Sequence, residues 1–332
     1  MAEPEIHFRT LGELEMIIAI DSTRRGPALG GCRWRNYPDR DAACRDATSL
    51  AAAMTRKAAL SRLALGGGKA VVIGDPAKRT RRQMRAFGEF VEELGGRYVT
   101  AADMGTSAEQ MAVFAERTRH VAGLPTGMGG CGDPGPWTAR GVLLALQAAS
   151  AELGLPLEGL HVAIQGLGSV GRALLDLLVE RVAHVSVADV TPAALLGLPA
   201  EVERVEPERI LEVAADVFAP CGPPGVIDAE AAHRLRARIV CGAANNPLSA
   251  PRVAAQLEER GILYVPDYLA NAGGLIRLAI ERDGGDDACV MKHLEVIPAN
   301  LRRVLDHAKA RGIDAGRAAD ELAASATALD HV

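Results

Sequence analysis

At 332 residues the chain exceeds one small domain, and a prior of roughly 150 residues per domain points to two. Apolar residues make up 48% and charged residues 24%, which is ordinary for a globular protein, while 3% aromatics leave the core to aliphatic side chains. The net charge of −5 gives no bulk attraction to nucleic acid or to an anionic membrane.

No window approaches the ~18 consecutive apolar residues of a membrane span. Met1-Ala2-Glu3-Pro4-Glu5 carries an acidic pair and no apolar stretch, so it does not read as a secretory signal and a cytoplasmic location is expected. The cysteines (Cys32, Cys44, Cys131, Cys221, Cys241 and Cys289) are scattered without a C-x-x-C pair, and the histidines form no H-E-x-x-H. No metal site is expected, and the thiols read as reduced and structural.

In chain order, Glu15–Asp21 reads as a strand closed by the turn at Arg24-Arg25-Gly26-Pro27, and alanine-rich Asp41–Leu60 as a helix. Lys69–Ile73 is a second strand, and Thr80–Leu94 a helix with Met84, Phe87, Phe90, Val91 and Leu94 on one side. Gly96–Ala101 is a third strand, followed by the loop Asp103-Met104-Gly105-Thr106 and a helix over Ser107–Arg117. Gly127–Pro136 is so rich in glycine and proline that neither helix nor strand persists there, which marks the domain boundary and a candidate hinge. Beyond it, helix Thr138–Leu153 leads into strands at Leu160–Gln165, Val185–Asp189, Val217–Pro220, Ile239–Gly242 and Ile262–Pro266. These short apolar runs without alternation suit parallel strands covered on both faces. From about Asp286 to Leu322 the pattern is helical.

The expected fold is therefore α/β in two domains with a cleft between them. An N-terminal catalytic and oligomerisation domain spans 1–130, with returning helices from about 290–332. A Rossmann domain spans 136–289.

Gly166-Leu167-Gly168-Ser169-Val170-Gly171 follows an apolar strand, opens a helix and precedes a strand ending in Asp189. That context turns a weak G-x-G-x-x-G signal into a dinucleotide cradle. Gly166 permits the turn, Gly168 lets backbone approach the pyrophosphate, and Gly171 lets helix and strand pack closely. The helix N-terminus supplies partial positive charge to the phosphates. Asp189 would accept bonds from the adenosine ribose and repel a 2′-phosphate, so NAD is expected over NADP.

Two lysines carry the other half of the argument. Lys69 follows Gly66-Gly67-Gly68 directly, where a loop is expected to give way to strand with nothing to block a ligand. A charged lysine binds a carboxylate; a shielded one acts as a general base. Lys57, Lys69 and Asp103 divide such roles only if they converge in space.

These blocks, together with Gly26-Pro27-Ala28-Leu29-Gly30-Gly31, Ala53-Met54-Thr55-Arg56-Lys57, Phe218-Ala219-Pro220-Cys221, Gly242-Ala243-Ala244-Asn245-Asn246 and Pro266–Gly274, resemble the Glu/Leu/Phe/Val dehydrogenases. The leucine, valine and phenylalanine dehydrogenase branch is the best match, from about residue 15 to 325. The resemblance implies reversible oxidative deamination of an L-amino acid with NAD and water to a 2-oxo acid, ammonium and NADH. By position, Lys57 would bind the substrate carboxylate, Lys69 would activate water, and Asp103 would shuttle protons at the amino group. Thr138, Cys221 and Asn245 would lie near the cofactor, with Asn246 helping to hold the substrate. Leu29, Gly30, Met54, Gly67, Ala101, Leu275 and Leu278 would line the side-chain pocket. They are all apolar or small, which disfavours a glutamate-type substrate and favours a branched aliphatic one.

Ala102 stands where many leucine-type relatives have glutamate. Arg277 either faces outward or, facing inward, points to an acidic or unusual substrate. The chain is shorter at both ends than leucine-type members, and a homodimer or a higher homo-oligomer is expected. The competing functions are the same chemistry on an aromatic or nonstandard amino acid, a shikimate-dehydrogenase-like ketone reductase, and a non-catalytic nucleotide or amino-acid sensor.

Overall fold

The computed structural model describes residues 3–328. Two compact units emerge, each with its own sheet. The first comprises the chain through Pro134 together with Leu275–Val290 and the described residues from Ala323; the second comprises Gly135–Gly274 and Met291–Leu322. The expectation placed the return to the first unit at about 290–332. The rejoining segment is instead Leu275–Val290, and most of the chain beyond it packs with the second unit.

In the first unit, β1 (Glu5–Leu11) and β2 (Leu14–Ser22) form an antiparallel hairpin. Then come β3 (Ala28–Arg35), α1 (Arg40–Leu60), β4 (Gly66–Ile73), α2 (Arg81–Glu93), β5 (Tyr98–Ala102) and α3 (Ala108–Phe114). The sheet order is β1-β2-β4-β3-β5, with β3 parallel to both β4 and β5. Helix α1 lays Ala43, Ala47 and Ala51 against Ile17, Ala19 and Val71 on one face of the sheet. The spacing of four keeps methyl-sized side chains on one stripe, so helix and sheet approach closely. On the other face, Phe87, Phe90 and Val91 of α2 and Met111 and Phe114 of α3 pack on Met16, Ile18, Trp34 and Val72.

Strands β1 and β3 were not anticipated, and Lys69 lies inside β4 rather than at a loop-to-strand junction. Glycine weakens an average strand, which hides β3 and the start of β4 from a propensity reading. Here close approach demands it. A Cβ at Gly30 would fall 1.7 Å from the Gly68 carbonyl oxygen, and one at Gly67 would fall 2.1 Å from the Thr55 backbone nitrogen. The three glycines before Lys69 thus seat β4 among its neighbours instead of forming an open ligand cradle.

In the second unit, the elements are α4 (Gly135–Glu152), β6 (His161–Gln165), α5 (Ser169–Leu178), β7 (His184–Ala188), β8 (Glu203–Arg204), β9 (Val217–Pro220), α6 (Ala229–Arg234), β10 (Ile239–Val240), α7 (Arg252–Glu259), β11 (Leu263–Tyr264) and α8 (Asp267–Ala270). Next come α9 (Gly273–Arg282) and α10 (Asp287–Leu294), whose residues divide between the units, and α11 (Val296–Arg311), which packs on α4. The chain's last described helix is α12 (Ala315–Ala328). All strands are parallel in the order β11-β10-β9-β6-β7-β8, the doubly wound arrangement whose order reverses between β6 and β9. No helix among the described residues is long and apolar enough to cross a membrane.

Candidate active site

In the first unit, β4 and the turn after β5 bring the Lys69 ammonium onto the Asp103 carboxylate in an ion pair. The lysine side chain is 8% exposed and the aspartate 21%. The turn itself is heavily determined. The Met104 N–H donates to Asp103 Oδ1 at 2.7 Å, the Asp103 N–H donates to Thr106 Oγ1 at 2.9 Å, and that hydroxyl donates to the Cys32 carbonyl at 2.8 Å. Gly105 takes φ +82°, and a Cβ there would fall 1.9 Å from the Trp34 carbonyl oxygen. Only glycine meets both demands.

Arg33, which the sequence reading passed over, completes the group. Its Nε lies 3.4 Å from Asp103 Oδ2 and its Nη1 lies 2.9 Å from Asp46 Oδ2, which also accepts from the Tyr37 hydroxyl. Burial pushes the Asp103 carboxyl up, but the Lys69 and Arg33 cations outweigh it and hold the group down at about 2. Asp103 is thus a partly buried carboxylate with two cationic partners. Its signal in the sequence was only the loop after β5; Arg33 carried no motif of its own.

Around this pair, Leu29 on β3 stands opposite Gly67 on β4 in register, and Gly31 opposite Ala101 on β5. The Tyr98 hydroxyl donates to the Gly30 carbonyl. Met54 and Lys57 lie on the C-terminal part of α1, both partly buried, beside Thr55, which abuts Gly67. Leu275 and Leu278 are buried in α9, and Leu278 is the nearest neighbour of a Cβ placed on Gly123.

Two residues of the same helix correct or extend the reading. Arg277 does not face outward: its side chain is only 12% exposed, and its counter-ion is Asp287 at 3.5 Å. The Asp287 carboxylate of this chain thus stands beside the guanidinium. Glu281 accepts from the Gly123 N–H at 3.0 Å and the Cys131 N–H at 2.7 Å, tying the glycine-rich segment to α9. Burial and the Glu281 carboxylate push the Cys131 thiol up to about 12, so it stays protonated.

In the second unit, the chain leaves β6 through Gly166 at φ +92°, whose N–H donates to the Ala188 carbonyl at 2.8 Å. A Cβ on Gly171 would fall 1.9 Å from the Gly166 carbonyl oxygen, so helix α5 packs tightly on the turn. Gly168 differs. A Cβ there would meet nothing within 4 Å, and Gly168, at the N-cap of α5, makes no side-chain capping bond. Open space beside a helix N-terminus fits a pyrophosphate. Asp189 Oδ2 accepts from the Leu167 N–H and Oδ1 from the Thr191 N–H, each at 2.7 Å. The carboxylate therefore braces the glycine turn, with lone pairs left for a ribose.

Cys221 binds back through its N–H to the Gln165 carbonyl, and burial pushes its thiol up to about 11. Thr138 lies on α4, near its start. Asn245 Oδ1 accepts from Asn271 Nδ2 at 3.0 Å. Asn246 is left-handed at φ +50° and donates its N–H to Asp267 Oδ2. Both asparagines are exposed.

A doubly wound sheet with an open glycine turn, on one chain with a buried lysine–aspartate pair, is the equipment of a nicotinamide-dinucleotide-dependent oxidoreductase. Residues 8–120 match the Glu/Leu/Phe/Val dehydrogenase dimerisation domain, and residues 189–328 match the Glutamate/Leucine/Phenylalanine/Valine dehydrogenase domain. The chain is 41% identical over 315 residues to leucine dehydrogenase of Bacillus subtilis, covering 93% of this chain and 86% of the relative. It is 40% identical over 318 residues, with the same coverage, to phenylalanine dehydrogenase of Caldalkalibacillus thermarum. The crystal structure of L-tryptophan dehydrogenase from Nostoc punctiforme superposes with a TM-score of 0.84 at 34% identity, covering 99% of this chain and 97% of that one. The chain belongs to the Glu/Leu/Phe/Val dehydrogenase family. It is an amino-acid dehydrogenase, an oxidoreductase acting on a CH–NH2 group with a nicotinamide dinucleotide.

Proposed function

We propose that the protein catalyses reversible, NAD-dependent oxidative deamination of an L-amino acid with a branched aliphatic side chain, giving the 2-oxo acid and ammonium. The buried Lys69–Asp103 pair is the observation that carries this reading. A bound dinucleotide would supply the acceptor for the hydride leaving the substrate Cα. Gly166, Leu167, Gly168, Ser169, Val170 and Gly171 would hold its pyrophosphate, with Asp189 at the adenosine ribose and Thr138, Cys221 and Asn245 near the nicotinamide. A carboxylate at 189 disfavours a 2′-phosphate, which supports NAD over NADP.

Lys57 would bind the substrate carboxylate and Asn246 would assist. Asp103, a carboxylate at working pH, would take a proton from the substrate amino group and stabilise the iminium left by hydride loss. Lys69, once neutral, would take a proton from water as that water adds to the iminium carbon. Asp103 would then return its proton to the amino nitrogen, and Lys69, having passed the water's proton to solvent, would take the proton of the new hydroxyl as ammonia leaves, giving the 2-oxo acid and, with that proton, ammonium. Leu29, Gly30, Met54, Gly67, Ala101, Leu275 and Leu278 would receive the side chain. A substrate carboxylate buried among them would have no partner, at a cost of several kcal/mol or more. A homodimer or larger homo-oligomer in the cytoplasm is the assembly and setting we favour, supported by the matched dimerisation domain.

The test is NAD reduction with a panel of L-amino acids at alkaline pH, and the ammonium-dependent reverse reaction with the matching 2-oxo acids. Leucine, isoleucine and valine should lead, phenylalanine should follow, and glutamate should fail. NADH oxidation that proceeds without ammonium would rule the proposal out in favour of a ketone reductase.

A further inference from the structure

At the amino-terminal edge of the second unit's sheet lies a cluster that the deamination chemistry leaves unused. His161 opens β6 and His184 opens β7, and the two are register partners. Glu203 opens β8 opposite Ser186. Strand alternation puts His184 and Ser186 on one face, so both imidazoles, the hydroxyl and the carboxylate project together. The two rings meet edge-on with centroids 4.6 Å apart. His184 Nε2 lies 3.2 Å from Glu203 Oε2, and His161 Nε2 lies 2.7 Å from Ser186 Oγ. One donor atom from each of His161, His184 and Glu203 falls within 4.8 Å of the others.

The cluster can face a cation with lone pairs. With its proton on Nδ1, the His161 ring presents a lone pair at Nε2 toward Ser186. Ser186 donates to Glu203, and its single proton cannot serve the His161 lone pair as well. A cation would satisfy both acceptors at once.

We propose that His161, His184 and Glu203 form a binding site for one divalent transition-metal ion of the zinc class. Two imidazole nitrogens and one carboxylate oxygen suit such a borderline ion better than calcium or magnesium. The site would pin the two-residue strand β8 to β6 and β7. It sits at the strand starts, while Gly166 and Asp189 follow the ends of β6 and β7. Its role is structural and separate from hydride transfer. The sequence pointed away from any metal because the three residues lie far apart along the chain and form no ligand motif.

The full-length protein, stripped with chelator, is titrated with Zn²⁺ by calorimetry and with Co²⁺ by visible absorption. One ion per chain should bind, raise the melting temperature, and give a Co²⁺ spectrum without thiolate charge transfer. His184→Gln and Glu203→Gln should each weaken binding by about tenfold or more and abolish the melting shift. Both side chains are at least 42% exposed, so these variants should keep the metal-free melting temperature. Cys289→Ser should bind like the parent. Equal binding by the parent and both variants, a thiolate signature, or no saturable binding would each overturn the proposal.

Discussion

The two units use the same residue type for opposite ends. In the first, Gly30, Gly31 and Gly67 leave no room: a Cβ on each would fall within 2.8 Å of backbone or of Asp103 itself. In the second, Gly168 faces open space. Glycine in the first unit lets strands and α1 close around a buried ion pair. Glycine at 168 leaves a surface clear for something else. A glycine-rich stretch in a sequence does not say which of these it is, and the distinction decides what a substitution will do.

The largest expected effect is chemical. Asp103→Asn keeps the shape of the turn but removes the charge facing Lys69, and should lower kcat by roughly a thousandfold, within the usual span for acid–base groups. Steady-state kinetics with L-leucine would check this, and activity within threefold of the parent would count against the role given to Asp103.

The next contrast tests the glycines directly. Gly67→Ala forces a methyl toward the Thr55 nitrogen and should cost about 1–3 kcal/mol of stability in urea unfolding. Gly168→Ala should leave stability within about 0.5 kcal/mol. It should weaken NADH binding by about tenfold, or ~1.4 kcal/mol, measured by fluorescence titration. If both variants affect only stability, the open-turn reading of Gly168 fails.

The smallest effect concerns pH. The Asp103 carboxyl is held at about 2 against an ordinary 3.8, so its contribution to stability is complete above pH 3.8 and disappears as pH falls through about 2. Arg33→Leu removes one of the two cations, raising that carboxyl toward its ordinary value. Acid unfolding, followed by circular dichroism, should therefore begin at higher pH in the variant. An unchanged acid limb would mean that Lys69 alone sets the charge state of Asp103.

Much of this was legible in the chain. Strand β2, helices α1 and α2 and the β6–α5–β7 unit announce themselves through long apolar periodicity or a glycine motif in context. Strand β3 did not, because Leu29-Gly30-Gly31-Cys32 lacks the β-branched residues that mark a strand and is selected for close approach. The pairing of Lys69 with Asp103 rests on β3 lying between β4 and β5, a topology that spacing cannot reveal. Arg33 and Glu281 escaped notice for the same reason. Each acts on residues distant in sequence and carries no local signature.

The most direct test is Lys69→Ala, assayed for both NADH affinity and leucine-dependent NAD reduction on one preparation. The account predicts that cofactor affinity stays within about twofold while turnover drops by roughly a thousandfold or more. Near-parental turnover, with the dinucleotide still bound, would show that the amine at position 69 does not perform the proton transfer assigned to it.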